Sequence, residues 1–320
     1  MSEICPACDG REFTVVGQCG PTVELKNADT NSPLRRVAEK VRDSRLLRCE
    51  RCNLLVRKPE LDQSDLHELY ENLPDAYWDY DSSKVGSWKV ANRFLTEVHQ
   101  RDHAINVLDV GAFDGSFLKT LPPAWNKSAI EPAEAAAESL RRSNIPCIAS
   151  FVEELDDGKH NSSFDVITMF DVFEHLPKPV ETICRLAELL KPGGRLVLST
   201  GNSEHWSWRL LGASHWYMHS AQHLCVGNPQ FFQYASEKSG LGIERIQAHS
   251  HQESGSVKRW NQSLETIHAW ARRSERTVLM RLIQALPGTS HLVHKTSSPF
   301  ANALRDHFLV VMTRSANVSQ

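Results

Sequence analysis

The stretch Val107–Lys119 reads Val-Leu-Asp-Val-Gly-Ala-Phe-Asp-Gly-Ser-Phe-Leu-Lys and constrains the fold more than any other part of the chain. A short apolar run ends at Asp109, a glycine loop runs from Gly111 to Gly115, and a helix-compatible segment opens at Ser116. Strand, glycine turn and helix in that order begin a doubly wound α/β sheet, whose ligand lies over the strand's carboxyl end. Two phosphate-binding loops are excluded. A P-loop ends in Gly-Lys-Ser/Thr, and Gly115-Ser116-Phe117 lacks the lysine. A dinucleotide loop needs a middle glycine where Phe113 stands.

Downstream, β and α patterns alternate. Ser128–Glu131 is a second strand, Ala133–Arg142 an alanine-rich helix, and Pro146–Ala149 a third strand. Phe164–Phe170 is a fourth strand, apolar almost throughout as a buried parallel strand should be. Pro179–Leu190 repeats Val180, Ile183, Leu186, Ala187 and Leu190 at helical spacing and stops at Lys191-Pro-Gly-Gly194. Arg195–Thr200 is a fifth strand, Pro229–Ser239 a helix closed by Gly240, Ile243–Gln247 a sixth strand, and His307–Thr313 a seventh. Upstream, Gln63–Glu71 reads as a short helix, followed by the aromatics Tyr70, Tyr77, Trp78 and Tyr80. Trp88, Ala91, Phe94, Leu95 and Val98 predict a helix within Ser83–His99 that covers the sheet.

Cys5-Pro-Ala-Cys8 and Cys49-Glu-Arg-Cys52 are two C-x2-C turns with 40 residues between them. Each presents two thiolates, and together Cys5, Cys8, Cys49 and Cys52 can close a tetrahedral, structural Zn²⁺ shell. The β-prone runs Phe13–Val16 and Leu46–Leu47 and the polar Asn27–Pro33 loop complete the pattern of a zinc ribbon. Cys19, Cys147, Cys184 and Cys225 are read as buried small hydrophobes. The expected organisation is a ribbon over 1–62, covering helices over 63–100, a main domain over 101–253 and 301–320, and a helical insertion over 254–300. No apolar run reaches the roughly 18 residues of a membrane span. Met1-Ser-Glu-Ile-Cys5 shows no basic region leading into an apolar one, so a reducing cytoplasm is the expected compartment.

Five features follow one another in order: Asp109–Gly115; Glu131, twenty residues after Gly111; Phe164–Asp171 followed by Val-Phe-Glu-His-Leu-Pro; Leu190-Lys-Pro-Gly-Gly194; and a late seventh strand. Over roughly residues 85–315 the chain resembles the class I S-adenosylmethionine (SAM) methyltransferases. The resemblance implies a Rossmann-like seven-stranded sheet and SAM as cofactor. It places Asp109, Gly111, Ala112, Phe113 and Gly115 around the methionyl and ribose parts. Glu131 and Pro132 would meet the ribose, Phe151 and Val152 the adenine, and Phe170 and Asp171 the other side of the cofactor. Gly111 and Gly115 would let the cofactor approach the backbone closely.

Asn202–Gly227 follows the fifth strand, where acceptors bind in such sheets, and holds His205, Trp206, Trp208, His215, Trp216, Tyr217, His219 and His223. With the two C-x2-C pairs, it resembles the zinc-ribbon methyltransferases of sugar and polysaccharide pathways. Nucleotide-sugar C-methyltransferases, which belong to that group, carry Tyr…Glu-His-Leu here; this chain has Tyr217…Gln222-His223-Leu224. Gln222 removes the carboxylate, and the chain looks too short for their additional C-terminal domain. O-methylation of a glycan or related small acceptor therefore fits better, with His223 as candidate base beside Tyr217 and with His175 as a further candidate. Within enzymes the alternative is RNA methylation, since some rRNA methyltransferases also begin with a zinc ribbon. The formal charge of −3 and the absence of a basic, aromatic-interleaved ribbon argue against nucleic acid. A catalytically silent SAM-binding scaffold is the reading outside enzymology.

The insertion sets Lys258, Arg259, Arg272, Arg273, Arg276, Arg281 and Lys295 against Glu265 and Glu275, a local charge of +5. Trp260, Leu264, Ile267, Ala271, Val278, Leu282 and Leu286 follow a mostly helical stripe. It is expected to cap the site or form a homo-oligomer face. A basic amphipathic helix can also make peripheral contact with an anionic membrane surface.

Overall fold

The computed structural model describes residues 3–27, 29, 31–72, 85–99, 103–155 and 159–316. In chain order its strands are β1 (Phe13–Gln18), β2 (Arg45–Cys49), β3 (Leu55–Lys58), β4 (Asn106–Val110), β5 (Asn126–Ile130), β6 (Cys147–Ala149), β7 (Phe164–Phe170), β8 (Leu190–Gly201), β9 (Cys225–Val226), β10 (Leu241–His249) and β11 (His307–Arg314). Seven form one sheet in the order β10-β11-β8-β7-β4-β5-β6. β11 runs antiparallel to both β10 and β8, whereas β8, β7, β4, β5 and β6 are parallel. This is the expected Rossmann-like sheet.

Its strands are apolar on both faces because both are covered. Leu108 and Val110, Ile167 and Met169, Leu196 and Leu198, and Phe308 and Val310 enter one core layer. That layer also holds Ile183 and Leu186 of helix Pro179–Leu189 and Phe231 and Phe232 of helix Pro229–Ser239. The intervening Val107, Val166, Val197, Leu309 and Val311 meet Ala91, Phe94 and Leu95 of helix Gly86–Val98 on the other face. Local chemistry sets the helix ends. Asn228 caps helix Pro229–Ser239 by accepting the Phe231 N–H at 2.8 Å, and Gly240 ends it at φ +70°. Lys191–Gly194 forms a bulge in β8, so that Phe164 pairs with Leu190 but Val166 with Arg195.

The second sheet has the order β1-β2-β3-β9, so its fourth strand comes from the segment after β8. Leu55 pairs with Val226 and Val56 with Cys225. Arg57, fully buried beside this junction, donates to the carbonyls of Met218, Ser220 and His223 at 2.7–2.9 Å and to the Ser44 hydroxyl at 3.2 Å. Helices Val23–Asn27 and Pro33–Glu39 add a small core with Leu61, Leu66, Leu69, Ala221 and Leu224.

Between β10 and β11 lie helices Ser256–Arg273 and Thr277–Gln284. The longer one packs against helix Trp206–Leu211, and Arg273 hydrogen-bonds Ser214. Trp260, Val278 and Leu282 of the expected stripe are exposed, and no residue of 254–300 lines the cavity described below. Capping of that cavity by the insertion is therefore not seen among the described residues. Tyr77, Trp78 and Tyr80 lie outside them. Among the described residues no helix is long and apolar enough to cross a membrane.

Candidate active site

β4 ends in Asp109 and Val110, and the chain then turns through Gly111 at φ +70°. A Cβ there would stand 2.4 Å from Val172 Cγ2, so both conformation and contact require glycine. Phe113 also has a left-handed backbone, at φ +48°. Its N–H donates to Glu131 Oε2 at 2.7 Å, while the Ala133 N–H donates to Oε1 at 2.9 Å. Glu131 is buried, and burial pushes it up to about 7 against those two N–H groups. Asp109 is also pushed up to about 7, by burial, although the Thr168 hydroxyl donates to it at 2.7 Å.

These residues line one cavity of about 780 Å³. Its wall includes Asp109, Gly111, Ala112, Phe113, Glu131, Pro132, Phe151, Val152, Phe170 and Asp171, ten of the eleven residues expected around the cofactor. Gly115 is outside the wall. It is glycine because helix Ser116–Thr120 starts from it at φ +76° and because a Cβ would lie 2.8–2.9 Å from Leu140 and Ile145. The cavity continues to Tyr70, Trp88, His175 and His251. Tyr70 and Nδ1 of His175 share a hydrogen bond at 2.9 Å, and burial pulls His175 down to about 3.

Tyr217 and His223 lie behind this wall. The Tyr217 hydroxyl donates to Glu174 Oε1 at 2.5 Å and accepts the Gly201 N–H at 3.1 Å, and Thr200 donates to Glu174 Oε2 at 2.9 Å. Burial, then Asp171, pushes Glu174 up to about 7. His223 donates its Nδ1–H to the Tyr217 carbonyl at 2.5 Å and stands 5.1 Å from His175 between ring centroids. Burial drives its pKa well below the usual imidazole value. Neither Tyr217 nor His223 is among the residues that line the cavity. His175, the third candidate, faces the cavity, and the other two buttress it.

The remaining loop histidines are largely structural. His205 caps helix Trp206–Leu211 and pairs with the Ser207 hydroxyl at 2.8 Å, which in turn contacts His215 Nε2 at 3.0 Å. His215 stacks on Trp208 at 4.1 Å. Sequence reasoning missed Arg57, His251 and the Asp306-His307 pair. An arginine inside the β-prone Leu55–Lys58 run, and Asp-His opening a strand, were the available signals.

At the N-terminus the Cys5 and Cys52 sulfurs are 3.6 Å apart and those of Cys8 and Cys49 3.5 Å apart, all four thiols being buried. The two turns repeat each other. Asp9 after Cys8 has φ +58°, and Asn53 after Cys52 has φ +62°, residue types that tolerate a left-handed backbone. A tetrahedral Zn²⁺ with bonds of about 2.3 Å needs sulfurs roughly 3.8 Å apart, so the donor set fits the ion. With thiols alone, the hydrogen bond from Cys52 draws Cys5 down to about 5, and burial raises Cys8 to about 12.

Residues 78–246 match a family described as methyltransferase domain. A ubiquinone biosynthesis O-methyltransferase of Pectobacterium atrosepticum is 25% identical over 51% of this chain and 72% of its own length. Its counterpart in Klebsiella pneumoniae is 25% identical over 49% and 69%. Among solved structures, a SAM-dependent methyltransferase of Archaeoglobus fulgidus aligns with a TM-score of 0.47 and 13% identity over 74% of this chain and 99% of that one. A phosphoethanolamine N-methyltransferase of Haemonchus contortus in complex with SAM aligns at 0.44 and 13% over 71% and 53%. With the family match spanning more than half of its residues, the chain belongs to the methyltransferase-domain family.

Proposed function

We propose that this methyltransferase uses SAM to methylate a hydroxyl oxygen of a small acceptor, a sugar or glycan being the class its cysteine-rich N-terminus favours. The observation that carries the reading is the single cavity that joins Glu131 at one end to His175 and His251 at the other. Bound SAM supplies a sulfonium methyl group that is already electrophilic, so the chain must mainly align, enclose and deprotonate. Each Glu131 oxygen has a lone pair left after its backbone hydrogen bond and can accept a ribose hydroxyl. Phe151 and Val152 offer apolar surface for a base, and Tyr70 and Trp88 offer ring faces to the acceptor. His175 is neutral in its buried setting. It is too weak to ionise a resting hydroxyl, yet it can take the proton as methylation makes that oxygen strongly acidic. The O-methyltransferase name of the curated relatives supports oxygen as the atom methylated.

Incubating the protein with methyl-labelled SAM and a panel of sugars, nucleotide sugars and phenols tests this reading. Label in an ether-linked product supports it. Tight SAM binding with label only on nitrogen, carbon or RNA would replace it. We further propose that Cys5, Cys8, Cys49 and Cys52 hold one structural Zn²⁺, to be checked by elemental analysis of the purified chain. A zinc-free chain with an equally protease-resistant N-terminus would refute that part.

A further inference from the structure

Three side chains from distant parts of the sequence meet at the acceptor end of the cavity. Asp171 follows β7, His251 follows β10, and His307 opens β11, and their ligand atoms all lie within 4.8 Å of one another. His251 Nε2 is 3.8 Å from Asp171 Oδ2, and the two imidazole rings are 5.0 Å apart between centroids. His307 is only 1% exposed. Its Nδ1–H donates to Asp306 Oδ1 at 2.9 Å, which leaves Nε2 as the lone-pair nitrogen. That buried Nε2 has no hydrogen-bond partner. Buried polar atoms are rarely left so, and a carboxylate behind an imidazole is the arrangement that orients metal-binding histidines.

We propose that Asp171, His251 and His307 bind one divalent cation of the imidazole-preferring transition series, with positions left open toward the cavity. Ligand atoms about 2.1 Å from a shared ion stand roughly 3.0–3.4 Å apart, so the set closes on it with a modest contraction. A second trio, Glu174, His175 and His223, is just as close together. There, however, every member already has a partner, Glu174 accepting from Tyr217 and Thr200, His175 bonded to Tyr70 and His223 to the Tyr217 carbonyl, and no buried atom of the trio is left orphaned as His307 Nε2 is. Asp171 and His251 form part of the cavity wall, so an acceptor hydroxyl can reach an open position and be both aligned and acidified there. This role rests on the hydroxyl methylation proposed above; the binding of the ion does not.

The test is a Co²⁺ titration of the metal-stripped full chain, followed by absorption. Two equivalents are expected, one with sulfur-to-cobalt bands from the cysteines and one with weak ligand-field bands and no sulfur contribution. His251→Gln should weaken the second at least tenfold and leave the sulfur bands unchanged. Asp171→Asn should do the same, since asparagine tolerates the φ of +53° at that position. A single, sulfur-ligated equivalent in the unmodified protein, or a sulfur-free equivalent undiminished in both variants, overturns the proposal. Calorimetry with SAM separates the two readings. A second Co²⁺ site in a chain that ignores SAM upholds the cation site and removes its catalytic role, whereas SAM binding with only the sulfur-ligated Co²⁺ removes the cation site and leaves the methyltransferase reading standing.

Discussion

Tyr217 gives its hydroxyl hydrogen to Glu174 across 2.5 Å, joining the segment after β8 to the segment after β7 inside the protein. Both residues are at least 98% buried. Tyr217→Phe would strip the carboxylate of one donor without changing the ring's volume. Stability should fall by about 1–3 kcal/mol, the usual penalty for an unsatisfied buried acceptor. Urea unfolding of the variant measures it, and an unchanged midpoint would show that Thr200 alone satisfies Glu174.

Glu131 predicts a pH dependence with a definite sign. Its folded-state value of about 7 lies above the ordinary 4.5. Between those values the unfolded chain has released a proton that the folded chain still holds, so this group's contribution to stability declines as pH rises through the window. A ligand whose hydroxyls donate to the carboxylate prefers its ionised form. SAM affinity should therefore rise from about pH 5 to 7, by up to tenfold per unit. Glu131→Gln should weaken SAM binding and remove one proton from that dependence, leaving the share of Asp109, which is also raised to about 7. Calorimetry at several pH values decides; a flat profile in the unmodified chain would exclude Glu131 from the cofactor site.

Removing the Arg57 guanidinium leaves the carbonyls of Met218, Ser220 and His223 short of a donor inside the protein. Arg57→Ala should destabilise the fold by about 1–3 kcal/mol for each buried acceptor left unsatisfied. Arg57→Lys should recover only part of this, because an ammonium cannot span the same fork of acceptors. Hydrogen exchange localises the effect, with faster exchange expected at Leu224 and Val226 before the parallel strands respond.

The imidazoles at the acceptor end should separate kinetically. His175→Ala is expected to lower kcat by roughly 10²–10⁴-fold with SAM affinity little changed, the span of a lost proton acceptor. His223→Ala should act through the position of His175, with a smaller drop in kcat and a loss of stability. Full activity in the His175 variant, together with a deep loss in the His223 variant, would reverse the two roles.

β4 and β7 fall where their apolar runs predict, at Asn106–Val110 and Phe164–Phe170, because each run is bounded by polar or glycine residues. The end of the cavity proposed for the cofactor was legible for a similar reason: Asp109 to Phe113 is a local motif, and Glu131 is one crossover away. The acceptor end was not. Its wall draws on Tyr70, His175 and His251, with His307 close behind, and only the strand order β10-β11-β8-β7 brings the last three together. Gln222 leaves the loop without a carboxylate of its own, and residue spacing gave no sign of where Tyr217 would find one. Glu174 supplies that carboxylate to Tyr217 from 43 residues upstream. Helix Pro33–Glu39 had a local signal in Ser32-Pro33, whose cap accepts the Arg35 N–H, but the polar loop around it masked the start.

The pairing of β3 with β9 bears on how the chain must be synthesised and cut. The cysteine turns and β1 to β3 leave the ribosome early and can close on a metal ion by themselves. Arg57, however, finds its acceptor on His223 only after 166 further residues have been made. Until then a guanidinium destined for the interior sits on an open strand edge, and such edges recruit foreign strands. A fragment that stops before Met218 should therefore be aggregation-prone even with the proposed Zn²⁺ bound. An N-terminal sheet isolated from the rest will need residues 218–226 supplied in the same chain.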